Sequence, residues 1–232
     1  MTNNLIGIIG AMDIEVDALI ASMTETEEKV ISSVKYVKGK LFDKNVVVAK
    51  CGIGKVFAAI CAQTMILEYN PSVIINTGVA GSLEKGFNVL DVAVAKSVVQ
   101  HDMDTSAIGD PRGLISGINV IFIDTCEKVS NALKNASLSV KCNVKEGVVA
   151  SGDKFMADPQ EKAEINREFK AIACEMEGAS IGHVCYVNKV PFGILRTISD
   201  GDGAGMDYMT FAPKAAMQAT KIVKDFIKIY EV

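Results

Sequence analysis

Residues 5–15 read LIGIIGAMDIE, an apolar run followed by a turn of small residues and then by two acidic side chains. A continuous apolar run, rather than an alternating one, is typical of a strand buried on both faces. Gly10 permits a sharp turn where the run ends, and Glu15 falls in the first turn of the helical pattern that follows. This stretch therefore predicts a strand, a turn and a helix, with a carboxylate at the carboxyl end of the strand.

Apolar runs of the same kind recur along the chain, and longer segments with a spacing of about 3.6 residues lie between several of them. The predicted strands are residues 5–9, 46–50, 73–76, 92–95, 148–150, 171–174 and 192–198, and the predicted helices are residues 14–22, 56–69, 178–187 and 213–230. Residues 24–29 and 141–146 are expected to be solvated surface segments. Strands that alternate with helices indicate an α/β fold, and no linker divides the chain, so we expect one domain over residues 1–232.

The composition limits the class of protein. The 232 residues are 49% hydrophobic and 22% charged with a net charge of -4, which suits a globular protein and gives no reason to bind nucleic acid. Six scattered cysteines without a C-x-x-C pair indicate reduced thiols. Because no apolar stretch approaches the ~18 residues of a membrane span, we expect a cytoplasmic protein without membrane contact.

Polar side chains collect after two further predicted strands. Glu175 and Glu177 follow one of them, and Ser199 and Asp200 follow another that carries Arg196 near its end. Because ligands of α/β sheets bind beyond the carboxyl ends of the strands, these residues are candidates for a binding site. The pattern alone leaves structural explanations open, namely a helix cap for the glutamates, a turn residue for Asp200, and helix-dipole charges for the acids of the opening stretch.

Several motifs that suggest metal or phosphate binding are incomplete. The run GIGK at residues 52–55 lacks the first glycine and the Ser/Thr of a phosphate-binding loop. The run DGDGAG at residues 200–205 lacks ligands of a calcium loop, and the run HDMD at residues 101–104 is better explained as a polar loop than as a metal site. We therefore expect neither a metal nor a cofactor.

Six short motifs occur together in one order along the chain. They are GIIGAM at residues 7–12 with Glu15, GIGK at 52–55, NTG at 76–78, SGD at 151–153, EME at 175–177 and SD at 199–200. Over nearly its whole length the chain thereby resembles the 5'-methylthioadenosine/S-adenosylhomocysteine nucleosidases of the purine nucleoside phosphorylase superfamily. The resemblance implies a three-layer α/β/α sandwich with a mixed central sheet. It also implies a homodimer that needs no metal or cofactor and hydrolyses the N-glycosidic bond of 5'-thio-substituted adenine nucleosides.

The resemblance further implies roles for single residues. Glu15 would be the general base that activates water, and Asp200, oriented by Ser199, would be the general acid that protonates N7 of the departing adenine. The remaining implied residues bind substrate: Glu177 and the backbone of Met176 hold the ribose hydroxyls, Arg196 braces them, Phe155 and Met156 contact the purine, Phe211 covers it, and Met12 and Ile53 line the sugar. Residues 201–205 would form a lid.

Three positions depart from the family pattern. Val79 stands near the sugar where many relatives have a serine, and Ile108 and Ser116 stand where many have an aromatic residue and a proline that reach the 5'-substituent from the partner subunit. The preferred 5'-group is therefore open among methylthio, homocysteinyl and 5'-deoxy, with aminodeoxyfutalosine as a further alternative.

Two other functions compete with hydrolysis. A related phosphorylase would use phosphate as the nucleophile, but the chain has only three arginines and Glu15 would repel a phosphate dianion. A catalytically silent nucleoside-binding domain would have no need of both Glu15 and Asp200. The presence of both favours the hydrolase.

Overall fold

One twisted sheet organises the fold. The structure, a computed structural model, describes residues 4–201 and 204–232. The strands of this part are β1 (Leu5–Gly10), β2 (Thr24–Ile31), β3 (Val34–Leu41), β4 (Lys44–Lys50), β5 (Val73–Ser82), β6 (Val92–Gln100), β7 (Ile123–Asp124), β8 (Val144–Ser151), β9 (Ala171–Glu175) and β10 (Phe192–Asp200). Its α-helices are α1 (Asp13–Ile20), α2 (Lys55–Tyr69), α3 (Glu127–Ser137), α4 (Pro159–Phe169), α5 (Gly178–Asn188) and α6 (Ala204–Ile229).

The sheet is mixed and closes partly on itself. Strand β10 pairs in parallel with β5 and antiparallel with β6, and the pairs β6–β8, β8–β9 and β9–β5 complete a ring of five strands. From β5 the sheet continues through β1 and β4, which are parallel, to the antiparallel strands β3 and β2. The ring and this extension therefore meet at β5.

The two sides of the sheet are covered by different helices. In β1, Ile6 and Ile8 pack into a core with residues of α1, α3 and α6, whereas Leu5 and Ile9 pack into a core with residues of α2 and α5. Side chains of a strand alternate between its faces, so a continuous apolar run serves both cores. This arrangement is the three-layer α/β/α sandwich that the family resemblance implied. No described helix is long and apolar enough to cross a membrane.

The seven predicted strands and four predicted helices are present, but other elements were missed. Strands β2 and β3 were missed because charged residues interrupt their apolar runs. Strand β2 is an exposed edge strand with the sequence TETEEKVI, and β3 reads VKYVKGKL. The segment 24–29 is solvated as expected, yet it is a strand, and the segment 141–146 runs into β8. Helices α3 and α4 are rich in polar residues and were not predicted either.

The last helix begins earlier than predicted. It starts at Ala204 and contains Pro213, at which the prediction placed the start because proline disrupts helix interiors. Residues 204 and 205 of the predicted lid therefore belong to α6, whereas residues 202 and 203 of that lid lie outside the described residues.

Candidate active site

A cavity of about 520 Å³ opens at the carboxyl ends of β1, β5, β9 and β10. It exists because β1 pairs with β5 only as far as Asn76, whereas β9 begins to pair on the same edge at Gly81. The two neighbours of β5 diverge there and leave its residues 77–80 without a partner strand on that edge. Nine of the predicted residues line the cavity: Met12, Glu15, Ile53, Val79, Phe155, Met176, Glu177, Ser199 and Asp200.

Glu15 is buried in the first turn of α1, and its carboxylate accepts hydrogen bonds from three backbone amides. Its Oε2 accepts hydrogen bonds from the amides of Ala11 at 2.7 Å and Met12 at 3.0 Å, and its Oε1 accepts one from Val79 at 3.0 Å. A carboxylate has about four acceptor positions, so one remains for a ligand or water. Burial raises the pKa of Glu15 above its usual value of 4.5, although the charge of Arg196 and the three amides oppose the rise.

Asp200 ends β10 and is 2% exposed. Its Oδ1 accepts a hydrogen bond from the hydroxyl of Ser199 at 3.0 Å, which is the orienting contact expected of that serine. Its Oδ2 accepts a hydrogen bond from the ammonium of Lys162 at 3.0 Å, and the same ammonium donates to the carbonyl oxygen of Gly201 at 2.9 Å. Lys162 was not among the residues predicted for the site.

A signal for Lys162 was present in the sequence. Asp158 caps α4, Pro159 occupies its first turn, and the positions of this helix that are buried are Lys162, Ile165 and Phe169. A lysine at the same helical spacing as two large apolar residues indicates a buried cation, which needs a carboxylate partner.

Arg196 is fully buried behind the cavity and does not line it. Its Nη2 donates to a carboxylate oxygen of Glu175 and to the side-chain oxygen of Asn76. Glu175 in turn accepts hydrogen bonds from Ser151 and from the amides of Glu177 and Gly178 at the start of α5. Burial alone would raise the pKa of Glu175, but Arg196 and these donors hold it below the usual value.

Glu177 stands at the N-terminal cap of α5 and faces the cavity. Its Oε1 accepts a hydrogen bond from the amide of Gly54 at 2.9 Å, so it fixes the GIGK loop that carries Ile53. Burial, and then the negative charge of Glu175, raise the pKa of Glu177 to about 8. Near neutral pH Glu177 is therefore largely protonated when the site holds no ligand.

Two glycines of β5 leave room for the two catalytic candidates. A Cβ at Gly81 would lie 2.8 Å from Oδ2 of Asp200, and a Cβ at Gly78 would lie 2.9 Å from Cδ of Glu15. Both distances are shorter than ordinary carbon contacts. The absence of a side chain at Gly78 of the NTG motif and at Gly81 is thus a steric requirement of the carboxylates.

Aromatic and sulfur side chains form the apolar part of the site. The rings of Phe155 and Tyr208 meet edge to face with centroids 5.3 Å apart, and the Tyr208 hydroxyl donates to the Met12 sulfur at 3.3 Å. Met156 lines a smaller adjoining cavity with Phe155 and Asp200. Tyr208 and Met209 line the main cavity where Phe211 was expected, so the role of Phe211 stays a prediction.

The remaining candidate segments have structural partners. Lys55 of the GIGK loop pairs with Asp102 at 2.6 Å, and Asp102 also accepts from the amide of Asp153 at 2.9 Å, so the HDMD segment holds two loops together. The described residues contain no group of three potential metal ligands. Ile108 and Ser116 are exposed and do not line the cavity of their own chain.

A sequence profile, related sequences and solved structures each match this chain over nearly its whole length. A sequence profile described as the phosphorylase superfamily matches residues 5–228. The chain is 38% identical over 226 residues to the 5'-methylthioadenosine/S-adenosylhomocysteine nucleosidase of Psychromonas ingrahamii, which covers 96% of this chain and 97% of that protein. It is 31% identical to the solved nucleosidase of the same name from Neisseria meningitidis in complex with methylthio-immucillin-A, with a TM-score of 0.93 over 98% of this chain and 100% of the other. It is also 37% identical to the futalosine hydrolase of Helicobacter pylori, with a TM-score of 0.92 over 98% and 99% of the two chains.

Proposed function

We infer the chemistry of this cavity from one premise: the chain belongs to the phosphorylase superfamily and, within it, to the 5'-methylthioadenosine/S-adenosylhomocysteine nucleosidases. It is an enzyme that hydrolyses the N-glycosidic bond of these nucleosides and releases adenine. The roles of its residues are our proposal. The observation that carries the proposal is that two buried carboxylates with different partners, Glu15 and Asp200, line one cavity of a size usual for small-molecule sites.

Glu15 and Asp200 act on opposite ends of the bond that breaks. Cleavage between C1' and N9 leaves positive charge on the ribose and negative charge on adenine, so it is assisted by a base for water and an acid for the leaving group. Glu15 keeps one acceptor position free, and its raised pKa makes it a stronger base than an ordinary glutamate. We assign Glu15 to the water and Asp200 to N7 of adenine.

Water, rather than phosphate, is the nucleophile in this proposal. The described residues that line the cavity include Glu15, Glu175, Glu177 and Asp200 but no lysine or arginine, and Arg196 is paired with Glu175 behind the wall. Two negative charges about 4 Å apart repel by about 4 kcal/mol at an effective dielectric constant of about 20. A phosphate dianion beside Glu15, which no described cation contacts, would therefore bind poorly.

The substrate contacts follow from the position of each group. We assign the ribose hydroxyls to Glu177 and the backbone of Met176, and the adenine to Phe155, with Met156 beside it. Arg196 acts through Glu175, whose position it fixes. The apolar side chains of Met12, Ile53, Val79 and Met209 suit a thioether at the 5'-position, because they offer it no hydrogen bond.

We also propose that the enzyme is a cytoplasmic homodimer. Helix α2 exposes apolar side chains at Val56, Ile60 and Leu67, a spacing that places them on one helix face. Such a face is typical of an interface. The six cysteines are free, which suits a reducing compartment.

Incubation of the purified protein with 5'-methylthioadenosine tests the proposed reaction. The buffer contains a chelator and no phosphate, adenine is measured by chromatography, and the sugar is identified by mass spectrometry. We expect adenine and free methylthioribose, and parallel reactions with S-adenosylhomocysteine, 5'-deoxyadenosine and aminodeoxyfutalosine rank the 5'-groups. A sugar 1-phosphate formed on addition of phosphate would indicate a phosphorylase, and no adenine from any substrate would refute the assignment.

A further inference from the structure

Lys162 is a cation on the buried face of α4, between the core and the catalytic acid. Its side chain is 8% exposed, and its ammonium contacts Oδ2 of Asp200 at 3.0 Å and the carbonyl oxygen of Gly201 at 2.9 Å. Burying a lysine is unfavourable unless charged or polar partners compensate. A lysine at this position must therefore be matched by the carboxylate, and any displacement of one group affects the other.

Both carboxylate oxygens of Asp200 accept hydrogen bonds from protein donors. Ser199 donates to one oxygen and Lys162 to the other. An acid that protonates adenine needs a proton when the bond breaks, and the hydroxyl of Ser199 is a poor source because it would become an alkoxide. The ammonium of Lys162 is the proton-bearing group in contact with Asp200 that can become neutral.

Lys162 and Asp200 line two different cavities. Asp200 lines the substrate cavity, whereas Lys162 lines a second cavity of about 770 Å³ together with Asn166 and Asp207. A polar cavity of this size has ample room for water. Water in the second cavity thus has access to Lys162 without passing the bound nucleoside.

We propose that Lys162 is a positioning residue for Asp200 that also carries the proton for the leaving group. As the bond between C1' and N9 breaks, an N–H bond of Lys162 breaks, Asp200 accepts that proton and N7 of adenine receives one from Asp200. Lys162 is left as a neutral amine and regains a proton from water in the second cavity. The proton that Glu15 removes from the attacking water returns to solvent, so the overall reaction consumes no proton.

Two substitutions separate proton supply from charge and packing. Lys162→Arg keeps a cation that can hydrogen-bond to Asp200, but a guanidinium does not release its proton in proteins. Lys162→Met keeps an unbranched side chain without charge or proton. We expect each to lower kcat for 5'-methylthioadenosine by about 100-fold with KM within about threefold of the parent. The matched control is Arg167→Met, which removes an exposed cation from the same helix and should leave kcat unchanged.

Combination with Asp200→Asn tests whether Lys162 acts through Asp200. This inference rests on the proposed acid role, so Asp200→Asn is measured first, and parental turnover in that variant would refute the proposed function itself. If Asp200→Asn is impaired, adding Lys162→Arg should lower kcat no further, whereas a merely structural role would lower it again. Parental kcat in Lys162→Arg, or a further loss in the double variant, would overturn the proton role alone. Should Lys162→Arg not fold, Lys162→Gln takes its place with the same expected loss and the same criterion.

Discussion

The two carboxylates that we propose to be catalytic differ in the donors that hold them. Glu15 accepts hydrogen bonds from three neutral amides, whereas Asp200 accepts them from one hydroxyl and one ammonium. Neutral amides orient a carboxylate without neutralising it, which suits a base. An ammonium offers a transferable proton, which suits an acid. Two acidic residues in one cavity can therefore perform opposite functions.

Asp200→Asn tests the proposed role of Asp200 as the general acid. The amide keeps the size of the side chain but cannot transfer a proton to N7, so kcat for 5'-methylthioadenosine should fall by roughly 10²- to 10⁴-fold. Nucleoside binding, measured by calorimetry, should change little, because Asn still contacts Ser199. Asp17→Asn, an exposed carboxylate on α1, is the control and should retain full activity. Near-parental turnover of Asp200→Asn would mean that another group protonates adenine.

Glu177→Gln tests the raised pKa of about 8 at that residue. A carboxyl group whose pKa is higher in the folded state than its usual 4.5 contributes stability that is fully present below about pH 4.5 and is lost as the pH rises through about 8. Because glutamine cannot ionise, the Glu177→Gln variant does not lose this stability as the pH rises. The Tm of Glu177→Gln relative to the parent should therefore increase between pH 5 and pH 8.5.

The control for this pH dependence is Glu28→Gln, which removes an exposed carboxylate. Its Tm difference from the parent should stay nearly constant over the same range. A Tm difference for Glu177→Gln that is flat or decreases with pH would contradict a protonated Glu177 in the ligand-free site.

At the scale of elements, β5 contributes its backbone to the site. The strand supplies the Val79 amide to Glu15, and its glycines at 78 and 81 make room for Glu15 and Asp200. It can do so because β1 and β9 diverge along its edge. The active site is thus a consequence of strand pairing as much as of side chains.

Substitution of Gly81 tests this steric role of β5. In Gly81→Ala the new Cβ would lie 2.8 Å from Oδ2 of Asp200, so the carboxylate must move away from Lys162. We expect kcat to fall by roughly 10- to 100-fold, as small misplacements of catalytic groups do, while circular dichroism shows a folded protein.

Gly78→Ala provides the contrast on the same strand. Its Cβ would meet Glu15, which three amides hold in place, so this variant should lose both activity and thermal stability. If Gly81→Ala and the parent had the same kcat, Asp200 would not depend on the absence of a side chain at residue 81.

Local sequence patterns predicted the elements with continuous apolar runs and missed the more polar ones, including the amphipathic helix α3. The opening strand and α1 were predicted because apolar continuity, Gly10 and Glu15 all indicate the same turn. The pairing of β10 with both β5 and β6 joins distant parts of the chain, and no local pattern encodes it. Lys162 was missed because α4 itself was missed, and its partner Asp200 lies 38 residues away.

At the scale of the whole molecule, the ring of strands and its extension place four carboxylates around one cavity. Glu175 is compensated by Arg196 and Asp200 by Lys162, whereas Glu15 and Glu177 have no cation in hydrogen-bond contact among the described residues. The uncompensated pair faces the sugar in our assignment. A negative charge on Glu15 therefore lies where the ribose becomes positive, with no described cation in contact to offset it.

The exposed apolar face of α2 predicts how two copies of the chain assemble. Val56 and Leu67 are 70% and 74% exposed, although they lie on the same face of the helix. If this face is the dimer interface, charges placed there are buried without partners and separate the subunits. We expect the parent to have twice the mass of one chain in light scattering, and Val56→Glu/Leu67→Glu to have the mass of a single chain.

A double variant elsewhere separates the interface from a general effect of surface charge. Val30 and Met217 are 67% and 70% exposed on β2 and α6, so Val30→Glu/Met217→Glu is matched in exposure and should remain dimeric. In the proposed dimer Ile108 of one subunit would contact the 5'-group bound by the other, because Ile108 is 82% exposed and does not line the cavity of its own chain. Separated subunits should therefore lose more activity towards 5'-methylthioadenosine than towards 5'-deoxyadenosine, which has no 5'-thioether to contact. An α2 variant that stays dimeric, or that loses both activities equally, would place the interface or the 5'-contact on another surface.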